Sequence, residues 1–267
     1  MSEPAPAPGA PPPLPAPRPS NPWTGLALDV VLAVAGILIV STLLIAPLVA
    51  IEAFRQSAAG QAIADGDALV QAALPQITVA AIVTTLVVGL LAWWLRGRRL
   101  APPAPRLSLA GASALAVLAG VLVQGIALAA MQGLQAVAGE GPATPSNAAP
   151  ILALQQASPV LTWLMVVVVA PLGEELLFRR VMLHRFMVAG RALAGLVVTS
   201  LLFAATHELG QGDGHSLLHW LGLIAVYTGM GMGFGAVYLR TGRLSSAVLA
   251  HAACNATAMA AMAFSGA

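Results

Sequence analysis

Three short blocks in the carboxyl-terminal part of the chain carry side chains that can hold and move protons. They supply carboxylates, a guanidinium, imidazoles and an amide, from the residues Glu174, Glu175, Arg179, His207, His251 and Asn255. A carboxylate can deprotonate a water, while imidazoles and amides can orient it or donate hydrogen bonds to the oxyanion that forms when water attacks a carbonyl. This combination of groups predicts the hydrolysis of a peptide bond.

The first block, Glu174-Glu175, interrupts an apolar helix, because only Leu172 and Gly173 separate it from the apolar run of residues 166–171. On a helix, Glu175 and Arg179 are four residues apart and can form an ion pair that keeps one carboxylate charged. Glu174 points about 100° away from that pair, which leaves it available as a general base. The alternative is a solvated helix end at the membrane surface, where both carboxylates pair with neighbouring arginines.

The second and third blocks place imidazoles in apolar surroundings. His207 follows Phe203 by about one helical turn, and His251 shares a helix face with Asn255 at spacing i, i+4. An imidazole within an apolar helix needs a hydrogen-bonding partner, which makes His251 a candidate site residue. His207 has an alternative interpretation as an interfacial residue, since Glu208 and a glycine-rich loop follow it.

The composition predicts that these groups lie in a membrane protein. Of the 267 residues, 58% are hydrophobic and 8% are charged, whereas about 25% of residues are charged in soluble domains. The net charge of +2 is too small for a nucleic-acid-binding surface. A single cysteine, Cys254, excludes an intramolecular disulfide, and we interpret it as a packed, inert side chain.

Seven apolar runs are long enough to cross a hydrocarbon core of about 30 Å. They cover residues 23–51, 77–95, 109–134, 160–183, 192–207, 217–239 and 244–264. The runs are too long and too uniformly apolar for barrel strands, whereas helices satisfy their own backbone groups in lipid. The sequence therefore predicts an all-α, polytopic transmembrane helical bundle of about seven spans over residues 23–267, after a disordered Pro/Ala-rich tail at residues 1–22.

The arginines predict the orientation of the bundle, because cytoplasmic loops collect positive charge and the chain has no lysine. A cytoplasmic N-terminus leaves only Arg55 outside. It places the other arginines inside, namely Arg18, Arg96, Arg98, Arg99, Arg106, Arg179, Arg180, Arg185, Arg191, Arg240 and Arg243. Asp29, near the start of the first span, is interpreted as interfacial or solvated.

The depths of the site residues constrain the fourth helix. His207 lies about 24 Å along its own helix from the cytoplasmic side, whereas a fourth helix ending near Arg180 would hold Glu174 close to that side. We therefore predict that the fourth helix continues to about Val188. This length buries Arg179 and Arg180 against protein and brings Glu174 to the depth of His207.

In order and spacing, the blocks Glu174-Glu175-x-x-x-Arg179, Phe203-x-x-x-His207 and His251-x-x-x-Asn255 resemble the signature of the CAAX prenyl endopeptidase and bacteriocin-processing family, also called the Abi or CPBP family. The resemblance covers about residues 159–267. It implies an all-helical intramembrane endopeptidase that uses a glutamate-activated water. Glu175 and Arg179 resemble the family's supporting pair, and Phe203 belongs to the supporting residues.

The resemblance also implies roles for the remaining residues of the three blocks. Glu174 is expected to act as the general base, and His207 to orient the water or to relay its proton. His251 and Asn255 are expected to form the site that binds the oxyanion.

A metal ion is the main alternative to a water held by side chains alone. Zinc in hydrolases is bound by two histidines and a glutamate, which here would be Glu174, His207 and His251. The family resemblance favours a site without metal or other cofactor. A further pair, His215 and His219, lacks a carboxylate at ligand spacing, and we interpret both as interfacial.

The sequence thus predicts an intramembrane endopeptidase that acts in the lipid bilayer on a membrane-associated protein or peptide, with no role in nucleic-acid binding. The alternatives are a non-catalytic scaffold or bacteriocin-immunity-type protein, and a proton-coupled transporter. The complete acid–base set favours the enzyme, and the absence of inverted halves disfavours the transporter.

The lysine-free composition, rich in Ala, Gly and Arg, is typical of high-GC bacteria. It indicates an inner-membrane location and a substrate other than a prenylated CAAX protein.

Overall fold

The structure is a computed structural model, and it describes residues 21–138, 145–208 and 216–265. Within these residues the chain forms nine helices and no strand. The helices are α1 (Pro22–Ala58), α2 (Gly66–Ala72), α3 (Leu74–Leu95), α4 (Leu109–Ala138), α5 (Ala148–Ala157), α6 (Pro159–Val188), α7 (Ala192–Glu208), α8 (Leu217–Thr241) and α9 (Leu244–Ser265). The predicted disordered tail lies outside the described residues, apart from its last two positions.

The predicted all-α bundle of apolar helices is confirmed. In the described part of the chain, six helices are long and apolar enough to cross a membrane, namely α1, α3, α4, α6, α8 and α9. The remaining predicted span corresponds to α7, which is apolar but has only 17 residues, or about 25 Å of helix. The chain is therefore an integral membrane protein with six long helices and one shorter apolar helix.

The predicted long fourth helix is also confirmed, since α6 runs for 30 residues to Val188. Two π-helical stretches, Leu164–Val169 and Leu176–Leu183, flank the segment Ala170–Glu175 that carries both glutamates. Such widened turns occur frequently at functional sites. α6 contacts α3, α7, α8 and α9, so it holds the central position in the bundle.

A close approach between two glycines fixes α6 against α3. A Cβ atom on Gly173 would lie 2.7 Å from the Cα of Leu86, and one on Gly89 would lie 2.6 Å from the carbonyl oxygen of Gly173. Only glycine permits this backbone contact. Since Gly173 directly precedes Glu174, the contact also sets the position of the first glutamate.

Asp29 is buried, so the solvated side chain that the sequence allowed is wrong, while its position near the membrane interface stays a prediction. The residue is 1% exposed, and its carboxylate accepts hydrogen bonds from Arg185 at 2.9 and 3.3 Å and from Arg96. Two guanidinium groups, one from the end of α3 and one from α6, compensate the buried charge and replace its water. Asp29 thus joins α1 to α3 and α6.

The arginine-rich ends of several helices meet at one end of the bundle. The backbone N–H of Arg106, between α3 and α4, donates to the carbonyl of Thr241 at the end of α8 at 2.9 Å. Arg180 of α6 donates to the carbonyl of Leu100 at 2.6 Å. Arg179 and Arg180 are 0% and 8% exposed, which confirms the burial predicted with the long α6. The cytoplasmic orientation of this end stays a prediction.

Candidate active site

Glu174 of α6 lies between two imidazoles that come from different helices. Its Oε2 atom is 3.9 Å from Nε2 of His207 on α7 and 4.0 Å from Nε2 of His251 on α9. This oxygen is buried and has no hydrogen-bond partner in the described part of the chain. The predicted convergence of the three blocks is therefore confirmed, and 3.9 Å is a separation that one water can bridge.

Glu175 has different partners from its neighbour. Its Oε2 lies 2.8 Å from Nε of Arg179, and its Oε1 lies 3.0 Å from Nδ1 of His251. Glu175 and Arg179 are both fully buried, as an ion pair that compensates both charges. A carboxylate only accepts hydrogen bonds, so Nδ1 of His251 carries a proton and Nε2 faces Glu174.

His207 is held by the last turns of α7. Its Nδ1 lies 2.9 Å from the carbonyl oxygen of Phe203. A carbonyl also only accepts, so Nδ1 is the protonated nitrogen, and in the neutral ring Nε2 presents a lone pair toward Glu174. The side chain is 15% exposed, so His207 faces a largely enclosed site and not open solvent.

Aromatic rings enclose the two imidazoles, and sequence reasoning found only one of these rings. The ring of Phe203 lies 4.5 Å from that of His207 and 5.8 Å from that of His251. Two further rings were not predicted: Tyr227 stacks on His207 at 4.4 Å, and Phe234 stacks on His251 at 4.4 Å. Both rings come from α8, seven residues apart and so on one face. That spacing is the feature of the sequence from which this pair of rings could have been predicted.

Asn255 is bound to the backbone of α6. In the π-helical stretch, the N–H of Ala170 donates to the carbonyl of Met165, and Pro171 has no N–H to offer. The carbonyl of Val166 thus lacks its helical donors, and Nδ2 of Asn255 donates to it at 2.8 Å. One amide hydrogen of Asn255 is committed to this bond. Its role in binding an oxyanion stays a prediction.

The distances at Glu174 are wide for a zinc site. Tetrahedral zinc with ligands at about 2.0–2.1 Å holds its donor atoms about 3.4 Å apart, whereas the observed separations from Oε2 are 3.9 and 4.0 Å. In residues 21–138, 145–208 and 216–265, no three His, Cys, Asp or Glu side chains are grouped as a metal site would require. The absence of a cofactor stays a prediction.

Two other predictions concern residues beside the site. Cys254 is fully buried, and its thiol donates to Oε1 of Gln124 at 3.4 Å, so the predicted packed cysteine is confirmed. His219 is only 2% exposed, because α8 turns this side chain into the bundle, and its interfacial position stays a prediction. His215 lies outside the described residues.

Two hydrogen-bond acceptors face the same enclosed space in the site. The Oε2 of Glu174 and the Nε2 lone pair of neutral His207 both accept hydrogen bonds. A water about 2.8 Å from each atom can donate to both at once. The geometry therefore fits a single water positioned beside a carboxylate that can take its proton.

Comparison with known proteins agrees with the three blocks. Residues 156–257 match the family described as Type II CAAX prenyl endopeptidase Rce1-like. The matched segment contains Glu174, Glu175, Arg179, Phe203, His207, His251 and Asn255. No curated protein and no solved structure matches the chain.

Proposed function

Since residues 156–257 match the family described as Type II CAAX prenyl endopeptidase Rce1-like, we propose that this chain is an intramembrane endopeptidase in which Glu174 activates the attacking water. One observation carries the proposal: the buried Oε2 of Glu174 lacks a hydrogen-bond partner among the described residues and lies near two imidazole nitrogens. Glu174 and His207 accept the two hydrogens of the water, which directs a lone pair of its oxygen at the peptide carbonyl.

In the first step, Glu174 removes a proton from the water as the oxygen bonds to the carbonyl carbon. His207 holds the water through Nε2, because its Nδ1 proton is bound to the carbonyl of Phe203. The step converts the peptide carbonyl to an oxyanion and leaves the carboxyl group of Glu174 protonated. General base catalysis of this kind contributes about 10²–10⁴-fold to a rate.

His251 is placed to stabilise the oxyanion. Its Nδ1 proton is fixed by Glu175 at 3.0 Å, and when Nε2 is also protonated this nitrogen donates toward the centre of the site. The remaining amide hydrogen of Asn255 is the second donor that we propose. Preorganised donors of this type need no reorganisation as the charge develops.

In the second step, the tetrahedral intermediate collapses and the carbon–nitrogen bond breaks. The proton taken up by Glu174 moves to the leaving amine, directly or through His207, and restores the starting carboxylate. Glu175 and Arg179 keep their charges throughout, since their ion pair lies fully buried behind His251. No metal ion or cofactor takes part in the proposed reaction.

The substrate that we propose is a peptide segment associated with the bilayer of a bacterial inner membrane. All three site-bearing helices are apolar, and the side chains of Glu174 and His207 are still 16% and 15% exposed. Both side chains are therefore partly accessible to a substrate strand that enters between these helices. A prenyl group on the substrate is not part of the proposal.

A cleavage assay tests the function. The purified protein, in lipid discs, is incubated with tagged single-span membrane peptides, and mass spectrometry identifies the new termini. We expect the wild type to produce a defined cut that Glu174→Ala and His207→Ala do not produce. The same products at the same rate from all three proteins would show that the cleavage does not arise from this site.

A further inference from the structure

A second pocket lies at the arginine-rich end of the bundle, apart from the catalytic groups. It has a volume of about 360 Å³ and is bounded by α3, α6, the loop after α3, the end of α8 and the start of α9. Its walls include Leu90, Trp93, Leu172, Leu176, Arg180 and Tyr238. None of these residues forms a hydrogen bond, an ion pair or a ring contact with Glu174, His207 or His251 in the described part of the chain.

Arg180 supplies a buried cation to this pocket without a matching anion. Its side chain is 8% exposed; NH2 donates to the carbonyl of Leu100, but NH1 is buried with no hydrogen-bond partner. In the described part of the chain, the neighbouring buried acids pair with other arginines: Asp29 with Arg96 and Arg185, and Glu175 with Arg179. A buried guanidinium with open donors favours an anionic ligand.

Tyr238 adds a second open polar group to the same pocket. The residue is fully buried, and its hydroxyl has no hydrogen-bond partner in the described part of the chain. A buried hydroxyl without a partner is destabilising unless a ligand or a water binds it. Together with NH1 of Arg180, it is a second buried donor without a partner on a residue that lines this pocket.

The walls of the pocket indicate that its ligand also has an apolar part. Leu90 and Leu172 are 45% and 41% exposed, and they belong to the outer surfaces of the long apolar helices α3 and α6. The pocket thus has a mainly apolar lining, to which Arg180 and Tyr238 add polar side chains, and an apolar rim on the outer surfaces of α3 and α6. An amphiphile with an anionic head and apolar chains matches both parts.

We propose that this pocket binds the phosphate group of an anionic phospholipid, with Arg180 and Tyr238 as its ligands and with the acyl chains along α3 and α6. Basic pockets between transmembrane helices are a recognised way to bind such head groups. The site is independent of the proposed peptidase reaction, because none of its residues belongs to the catalytic set.

Lipid retention measured by native mass spectrometry tests the proposal. The full-length protein is titrated with phosphatidylglycerol, with phosphatidylcholine, and with glycerol phosphate or inorganic phosphate alone. We expect phosphatidylglycerol to bind most tightly, and Arg180→Met to weaken it by about tenfold or more. Binding of inorganic phosphate as tight as that of phosphatidylglycerol would overturn the assignment to a lipid.

Matched variants separate this site from general electrostatics and from catalysis. Arg240→Met removes an exposed arginine near the same end, and Glu174→Gln alters the catalytic carboxylate; both are expected to retain phosphatidylglycerol. Equal weakening by Arg180→Met and Arg240→Met would contradict a specific site. If Arg180→Met does not fold, Arg180→Lys and Tyr238→Phe replace it, and wild-type affinity in both would overturn the proposal.

Discussion

The Oε1 atom of Glu175 lies 3.0 Å from Nδ1 of His251, and this contact separates the functions of two adjacent carboxylates. Glu175 is fully buried and also pairs with Arg179, so it is committed to holding the structure of the site. Among residues 21–138, 145–208 and 216–265, the carboxylate of Glu174 has wider contacts, at 3.9 and 4.0 Å, with the two imidazoles. Adjacent groups in such different environments are suited to different roles.

Glu175→Gln is expected to destabilise the protein. The substitution leaves the guanidinium of Arg179 buried without its counter-charge, at a cost of about 3–5 kcal/mol. The double variant Glu175→Gln/Arg179→Met should recover part of this loss. Thermal unfolding in lipid discs measures it, with Glu52→Gln as the control, since Glu52 pairs with the exposed Arg55 and accepts a hydrogen bond from Gln56. Unfolding of Glu175→Gln at the wild-type temperature would contradict the structural role.

Gly173→Ala is expected to disturb the contact between α3 and α6. The added Cβ atom would lie 2.7 Å from the Cα of Leu86, and overpacking of this kind costs about 1–3 kcal/mol. The displacement also moves Glu174, so peptide cleavage should fall together with the unfolding temperature. Gly229→Ala is the matched control, because its Cβ would meet no atom within 4 Å. Equal behaviour of the two variants would contradict the close approach.

Asn255→Ala tests whether this amide acts on the substrate or only on α6. Loss of its bond to Val166 leaves a carbonyl without a donor, at about 1–3 kcal/mol. Pro171→Ala restores a backbone N–H and should recover stability. Loss of an oxyanion donor lowers kcat by about 10²–10³-fold, and we expect this loss to persist in Asn255→Ala/Pro171→Ala. Recovery of kcat in the double variant would show that Asn255 only positions α6.

Chelation tests the proposal of a metal-free site. The separations of 3.9 and 4.0 Å from Oε2 of Glu174 exceed the donor spacing of tetrahedral zinc, about 3.4 Å. We therefore expect the cleavage rate to be unchanged after treatment with 1,10-phenanthroline and dialysis. Loss of cleavage that added Zn²⁺ restores would instead support zinc bound by Glu174, His207 and His251.

Features that follow from patterns along the chain could be predicted from the sequence. Apolar runs gave the helices, and the need to bring Glu174 to the depth of His207 gave the length of α6 to Val188. The pairing of Glu175 with Arg179 followed from helical spacing. Each of these depends on one helix, or on the depth of one helix relative to another.

Features that depend on which helix faces which could not be predicted. Asp29 was interpreted as interfacial or solvated because it lies near the start of the first span, yet Arg96 and Arg185 bind it from two other helices. The stacking of Tyr227 on His207 depends in the same way on how α8 faces α7. Hydropathy reports that a residue lies in an apolar segment, but not which neighbour covers it.

The role of Glu174 as the base is tested by the single-turnover cleavage rate of a tagged membrane peptide by Glu174→Gln, compared with the wild type and Glu52→Gln. The glutamine keeps the shape of the side chain but cannot take a proton from the water. We predict that Glu174→Gln lowers the rate by at least about 10²-fold while its unfolding temperature stays at the wild-type value, and that Glu52→Gln cleaves normally. Cleavage by Glu174→Gln at the wild-type rate would contradict a Glu174-activated water.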